Sequence, residues 1–252
     1  MYPTNLTDAQ WQRIEKETPN ASRKRKHDLR QVWNALLYLV KTGCQWRMLP
    51  KEFPPWQIVY YYYNRWQHQE VYDYILEDLR TQLREQRGQN QNASVGIMDS
   101  QTVRGANNRS LMSIDGNKKV KGIKRHVIVD KNGWLLTVMV SVAHIHDSKA
   151  AELLMRQLKQ TAKGIKLLIA DGGYRGELIE KAKTIFNYVL QIVMRNKEEK
   201  NNFKPLPMRW VIERTFSWFD NDRRLCRNYE LLFDSSETMV KLSAIKLLLN
   251  KI

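Results

Sequence analysis

The sequence predicts an α/β fold, a mixed sheet flanked by helices, with an all-helical N-terminal domain in front of it. Up to about residue 88, apolar residues recur at helical spacing, whereas short apolar runs bounded by turn signals dominate after residue 94. The run at 167–170 is apolar on both faces, as expected of a central strand. Strands and helices then alternate, so helices should pack on the sheet.

Composition and charge narrow the classes of function. The 252 residues are 42% hydrophobic and contain no run of about 18 uncharged apolar residues, so we expect a buried core and no membrane span. Cys44 and Cys226 are too few for a disulfide scaffold or a four-cysteine zinc site. The net charge is +16, and residues 91–252 carry 28 basic against 16 acidic side chains. Such a field attracts polyanions, above all nucleic acid.

Four helices are predicted in the first 88 residues. Thr7 and Gln10 have the spacing of a capping box, and Pro19 ends the first helix. Gly43 stops the second helix, and Pro55 suits the first turn of the third. The helices are expected over residues 7–17, 28–42, 56–67 and 71–86.

This amino-terminal module, residues 1–88, has two interpretations. Short helices joined by tight turns favour a helix-turn-helix-like DNA reader. The alternative is a plain helical bundle whose aromatic residues form the core. Residues 89–94 are polar and predict a linker to the rest of the chain.

The remaining elements follow in the order strand, hairpin, helix, strand, helix, strand, helix. This order agrees in outline with the ribonuclease H-like fold. We therefore expect a catalytic domain over 95–233 and a carboxyl-terminal helix within 234–252. The strands are expected at 95–98, 126–129, 135–142, 167–170 and 188–193, and the helices at 148–161, 176–184, 207–222 and 236–249.

Acidic residues follow two of the predicted strands. Asp99 comes directly after the run 95–98, and Asp171 follows 167–170 and precedes two glycines. Carboxyl ends of parallel strands are where α/β sheets hold ligands, and paired divalent ions about 3.5–4 Å apart suit phosphoryl transfer on DNA. The pair is therefore a candidate Mg²⁺ site, although each could be a plain strand-end cap. Asp130 is expected to be a hairpin-turn residue without a catalytic role.

Glu213 is the third candidate acid. The helix predicted over 207–222 has an apolar stripe, and Arg209 and Glu213 lie one turn apart on its opposite face. Taken alone, this spacing favours an ordinary solvated ion pair.

Four blocks of sequence together resemble the DDE transposases of bacterial insertion sequences, and most closely the insertion-sequence family five group. Three amino-terminal segments are similar to the helical leader of that group. The blocks follow the family's order over nearly the whole chain. They are residues 98–103, 118–126, 170–176 and 209–216, and the leader segments are 6–11, 43–50 and 53–56.

The resemblance implies a ribonuclease H-like core, two Mg²⁺ ions (with Mn²⁺ able to substitute) and DNA strand cleavage and transfer. It maps the catalytic and metal-binding acids onto Asp99, Asp171 and Glu213. It also implies that the protein acts in the bacterial cytoplasm at the nucleoid, on the inverted-repeat ends of its element and on target DNA, as a homodimer in the synaptic complex. Two positions depart from the family signature, Leu206 in place of tyrosine and Asp220 in place of a basic residue.

Basic residues around the site are candidate DNA contacts. Residues 104–131 hold eight basic and two acidic side chains, which would neutralise backbone phosphates. A solvated, charged edge strand is the alternative. The candidates are Lys118, Lys119, Lys121, Lys124, Arg125, Arg209, Arg223 and Arg224, the last two in place of the missing basic residue at 220.

Two other functions stay open on the sequence alone. A related metal-dependent nuclease or resolvase would cleave DNA without joining strands, but it would not need the helical leader. A non-catalytic DNA-binding regulator, or a decayed transposase, would keep the basic charge, but the three acids are intact.

Overall fold

The computed structural model describes residues 2–23, 25–106, 111–194 and 208–252. The amino-terminal helices match their predicted bounds to within one residue. They are α1 (Asp8–Glu17), α2 (Leu29–Thr42), α3 (Trp56–His68) and α4 (Val71–Gln86), with a 3₁₀ turn over Trp46–Met48 before α3. Among all the residues that the structure describes, no helix combines the length and the apolarity that a bilayer crossing would need.

Short-range signals decide where these helices begin and end. The Thr7 hydroxyl accepts a hydrogen bond from the Gln10 N–H, and the Gln10 side chain accepts one from the Thr7 N–H, which is the predicted capping box. Asp28 caps α2 by accepting a bond of 2.9 Å from the Arg30 N–H. The same helix ends at Gly43, whose φ of +70° favours glycine.

The second part of the chain is a mixed sheet with helices on both faces. Its elements are β1 (Val95–Arg104), β2 (Ser113–Asp115), β3 (Val120–Asp130), β4 (Leu135–Val142), α5 (Asp147–Thr161), β5 (Leu167–Asp171), α6 (Glu177–Phe186), β6 (Val189–Val193), α7 (Arg209–Asp220) and α8 (Phe233–Leu249). The strand order is β4-β3-β1-β5-β6, and β2 pairs with the start of β3. β3 is antiparallel to its neighbours, whereas β1, β5 and β6 run parallel.

β1 is longer than predicted, so Asp99 lies within the strand rather than at its end. The sequence predicts a strand only over 95–98 because the next four residues are polar. Pairing with β3 extends the strand, and Arg104 is still opposite Gly122. A Cβ at Gly122 would lie 1.9 Å from the Val103 carbonyl oxygen, so glycine permits this close pairing.

The two faces of the sheet are covered by different helices. One face packs against α5 and α6 around Leu154. The other face packs against α1–α4, α7 and α8 in one continuous core that includes Trp33 and Ile97. The segment 89–94 therefore joins the amino-terminal helices to a sheet with which they share their hydrophobic core.

Candidate active site

Asp99 and Asp171 lie at the same level of neighbouring strands. The parallel pairing of β1 with β5 sets Ile97 opposite Ile169, and each aspartate follows its isoleucine by two positions. Residues two apart on a strand share a face, and neighbouring strands lie about 4.8 Å apart. The register therefore brings the two carboxylates together, and both line one shallow cleft with Arg209.

The Asp99 carboxylate is held in an unfavourable electrostatic environment. Burial raises its pKa to about 6, and the charge of Asp171 acts in the same direction. The Ser100 N–H donates to Oδ1 at 2.7 Å, and this bond and the charge of Arg209 oppose the rise. Within the described ranges Oδ2 accepts no hydrogen bond, so one oxygen is available to a cation.

Asp171 ends β5 and caps a 3₁₀ turn over Gly172–Tyr174. Its Oδ1 accepts a hydrogen bond of 2.9 Å from the Gly173 N–H. A Cβ at Gly173 would lie 3.1 Å from that oxygen, so the glycine leaves the carboxylate uncrowded. Its Oδ2 lies 3.8 Å from Arg209 Nη2. The backbone thus fixes one oxygen of Asp171, while the other faces a cationic side chain.

Glu213 projects from α7, whose apolar side packs against the sheet. Val211, Ile212 and Thr215 are buried, whereas the Glu213 side chain is 59% exposed. Arg209 Nε lies 3.1 Å from Glu213 Oε1, which is the pairing that the four-residue spacing allows. The Nε–H makes no hydrogen bond with any described residue, so its contact with Glu213 is an ion pair only.

Arg209 therefore lies between two of the predicted acids. In the parts of the chain that the structure describes, no three His, Cys, Asp or Glu side chains form a group that could hold a metal ion. Asp99 and Asp171 come together, and among the described residues it is the guanidinium of Arg209 that links Glu213 to Asp171. The donor set nevertheless fits a hard divalent cation, because each aspartate keeps a carboxylate oxygen that forms no hydrogen bond with any described residue.

Four of the predicted DNA contacts are exposed on the surface. The charge of Lys118, in the turn between β2 and β3, lowers the pKa of Asp99. The four exposed residues are Lys118, Lys119, Lys121 and Arg223.

Lys124, Arg125 and Arg224 are buried, which corrects their prediction as DNA contacts. Lys124 Nζ lies 3.1 Å from Asp147 Oδ1, and Arg224 Nη2 lies 2.7 Å from Glu230 Oε1. Arg125 donates to a backbone carbonyl in the loop after α7 at 2.8 Å. Lysine and arginine are seldom buried unless they are paired. Glu230 follows Arg224 by only six residues, but the partners of Lys124 and Arg125 lie far away in the sequence. Spacing could not reveal them.

The structure describes one of the two positions that depart from the family signature, Asp220, but not the other. Leu206 lies outside the described residues. Asp220 accepts a hydrogen bond of 3.2 Å from Gln101 Nε2, so this acidic side chain is oriented by β1. Of the two arginines expected to replace the missing basic residue, only Arg223 is accessible.

A second polar group, on the other face of β1, is absent from the sequence prediction. Ser100 Oγ donates to Asp147 Oδ1 at 2.9 Å, and Lys124 pairs with the same oxygen. His126 is fully buried nearby, and burial lowers its pKa to about 4. This group holds β1 in position next to Asp99. The sequence signal that could have revealed this group is strand alternation. If β1 continues past residue 98, Ser100 and Asp99 must point to opposite faces of the sheet.

Two family models match the chain. The transposase DDE domain matches residues 90–249, more than half of the chain, and the transposase of IS4/5 family model matches residues 6–76. No curated protein is detectably similar to the chain. The matches confirm the resemblance inferred from the sequence blocks. The chain belongs to the DDE transposases of the IS4/5 family.

Proposed function

We propose that this transposase cuts DNA at the inverted repeats of its own insertion sequence and joins the freed 3′ ends to target DNA. Asp99, Asp171 and Glu213 are the proposed ligands of two Mg²⁺ ions, for which Mn²⁺ can substitute. The main support for the proposal is that Asp99 and Asp171 lie next to each other on the face of the sheet that α7 covers. Two adjacent carboxylates repel each other, and divalent cations would relieve this repulsion.

The backbone presets the two aspartates for this chemistry. Paired divalent ions would activate the attacking oxygen and stabilise the leaving oxygen at the scissile phosphate. The N–H groups of Ser100 and Gly173 hold one oxygen of each carboxylate, which orients the other. Ligands fixed by their supporting hydrogen bonds do not need to be ordered when the cation arrives.

Glu213 completes the proposed set by a rotation of its side chain. Its exposure leaves room for this movement, and among the described residues the ion pair with Arg209 is the contact that opposes it. Once Glu213 turns toward the aspartates, the Arg209 guanidinium loses a partner and can bind a phosphate oxygen. Arg209 thereby couples ligand assembly to DNA binding.

The exposed basic residues supply the proposed contacts with the DNA backbone. Lys118, Lys119, Lys121 and Arg223 would neutralise phosphates without reading sequence. Recognition of the inverted repeats is assigned to the amino-terminal helices. Two element ends need two active sites, so we expect a homodimer or a larger assembly on DNA.

The ribonuclease H-like fold is part of the same proposal. The strand order β4-β3-β1-β5-β6, with β3 antiparallel beside the parallel β1, β5 and β6, supports it. The catalytic unit would then be residues 95–233, with a closing helix in 234–252.

Strand cleavage and joining test the proposal together. The substrate is a plasmid that carries this coding region with its native flanking DNA, incubated with purified protein, Mg²⁺ and a target plasmid. We expect cleavage at the element ends and covalent joining to the target. Asp171→Asn should reduce both by about 100-fold or more, a usual loss when a charge-stabilising group is removed. Glu180→Gln, which removes an exposed carboxylate on α6, should leave both unchanged.

The outcomes separate the alternatives. Cleavage without joining would replace the transposase mechanism by that of a nuclease. Absence of Mg²⁺-stimulated cleavage, or full activity of Asp171→Asn, would overturn the assignment of the site.

A further inference from the structure

The outer side of α7 carries a stack of aromatic and cationic side chains that the proposed chemistry does not use. Trp210, Arg214 and Trp218 recur every four residues and therefore share one side of the helix. The Arg214 guanidinium carbon lies 4.5 Å from the ring centroid of Trp210 and 4.6 Å from that of Trp218. Trp210 is 50% exposed, so the stack is open to solvent.

Two further cations lie beside this stack. Lys251 Nζ is 5.0 Å from the ring centroid of Trp218, and the Arg87 guanidinium is 4.8 Å from that of Trp134. Partial burial of its amino group lowers the pKa of Lys251, and the charges of Arg87 and Arg214 lower it further. Three positive charges therefore repel one another across a small surface.

No carboxylate within the described ranges forms an ion pair with Arg87, Arg214 or Lys251. This contrasts with the buried Lys124 and Arg224, each of which has an acidic partner. Cations held near the faces of indole rings are oriented without being neutralised. Their charge remains available to an anion outside the chain.

A purely structural role explains only part of this arrangement. Arg214 Nη2 donates to the Asn132 carbonyl oxygen at 3.0 Å, which holds the turn between β3 and β4. Arginine has five N–H donors, and Nε of Arg214 is buried and forms no hydrogen bond within the described parts of the chain. Arg87 and Lys251 are exposed, and among the described residues the one hydrogen bond of the Arg87 guanidinium is a long one of 3.4 Å to Asn132 Oδ1. Fold stability does not account for these two cations.

We propose that Arg87, Trp210, Arg214, Trp218 and Lys251 form a binding surface for the phosphate backbone of double-stranded DNA. We call it the indole–cation surface. It rests on the proposed function, because the DNA would be the duplex whose scissile phosphate lies in the cleft of Asp99 and Asp171. The surface begins one residue after Arg209, and its residues on α7 extend it by about 12 Å.

The charges favour DNA over the other possible occupant, a second copy of this chain. A chain of net charge +16 that presents three unneutralised cations repels its own copy. Duplex DNA carries about one negative charge per 1.7 Å of axis, which provides several phosphates along this surface. The ring of Trp218 already lies near two cations, which favours backbone contacts over base stacking.

Salt-dependent DNA binding tests the surface. A short labelled duplex of arbitrary sequence is titrated with the full-length protein in EDTA at several KCl concentrations. The test variant is Arg87→Gln with Lys251→Gln, which leaves the Arg214 clamp on the turn intact. The control, Lys159→Gln with Lys163→Gln, removes the same charge from two exposed positions, one in the last turn of α5 and one just after it. Equal melting temperatures establish that both variants are folded.

DNA affinity falls as salt rises, and the slope of log affinity against log salt measures the number of phosphate contacts. We expect the magnitude of this slope to be smaller by about two for the test variant, because each lost contact reduces it by about one. The control should change the slope by well under one. Equal slopes for the test variant and the control would overturn the surface, as would wild-type protein whose DNA binding does not depend on salt. Wild-type protein that fails to cleave DNA but shows these slopes would overturn the proposed function and leave the surface standing.

Discussion

Arg209 controls the charge balance of the candidate site. Its guanidinium lies between Asp171 and Glu213 and supplies positive charge at the place where a bound divalent cation would otherwise supply it. Removing an arginine that only stabilises the fold would not alter the cation affinity of the acids. Removing one that competes with the cation would raise it, and the two interpretations therefore make different predictions.

We expect Arg209→Gln to bind Mn²⁺ more tightly than the wild-type protein. The gain should reach at most about fivefold, because a partly exposed ion pair is worth up to about 1 kcal/mol. Isothermal titration of the DNA-free protein measures it. Strand cleavage should fall in the same variant, since the proposed phosphate contact is lost. Unchanged or weaker Mn²⁺ binding would show that the arginine does not compete with the cation.

At the scale of elements, a buried ion pair joins α4 to the hairpin of β3 and β4. Arg84 Nη1 lies 2.6 Å from Asp130 Oδ2, and Asp130 is fully buried. Its Oδ1 accepts hydrogen bonds from the N–H groups of Asn132 and Trp134, at 2.8 and 3.0 Å. Asp130 is therefore the turn residue that the sequence predicts, and it also anchors the amino-terminal helices to the sheet.

Asp130→Asn should destabilise the protein by about 3 kcal/mol or more, because it leaves the Arg84 charge buried without its partner. Chemical denaturation monitored by circular dichroism measures the change. Asp234→Asn makes the same substitution at an exposed position of α8 and should stay within about 0.5 kcal/mol of wild type. Equal losses in the two variants would contradict the anchoring role.

The elements that the sequence predicts well are those set by neighbouring residues. The capping box of Thr7 and the stop at Gly43 involve residues a few positions apart, so both are visible in the sequence. The length of β1 depends instead on its pairing with β3. The burial of Lys124 and Arg125 has the same origin, because their partners come from segments more than 20 residues away.

At the scale of the whole molecule, the helices α1–α4 are structurally part of the sheet domain. They share one hydrophobic core with α7, α8 and one face of the sheet. The sequence predicts the helices and their order. Which residues of each helix face the sheet depends on tertiary packing. A linker composition at 89–94 therefore does not imply independent folding.

We expect the fragment 89–252 to fail to fold on its own. Without the amino-terminal helices, the apolar residues of α8 and of one sheet face would be exposed to water. Thermal unfolding followed by circular dichroism should show no cooperative transition for the fragment, whereas the full chain should show one. A soluble fragment with a cooperative transition would show that the helices form a separate domain.

Binding of Mn²⁺ to the DNA-free protein, followed by the electron paramagnetic resonance signal of the free ion, tests the central claim most directly. The wild-type protein should bind Mn²⁺, and Asp171→Asn should weaken binding by about tenfold or more. Loss of a residue that only supports a metal ligand already lowers affinity by about tenfold, and loss of the ligand itself should cost at least as much. Glu180→Gln should match the wild type. Equal binding by Asp171→Asn and wild type, or no binding by the wild type, would contradict the assignment of Asp99 and Asp171 as metal ligands.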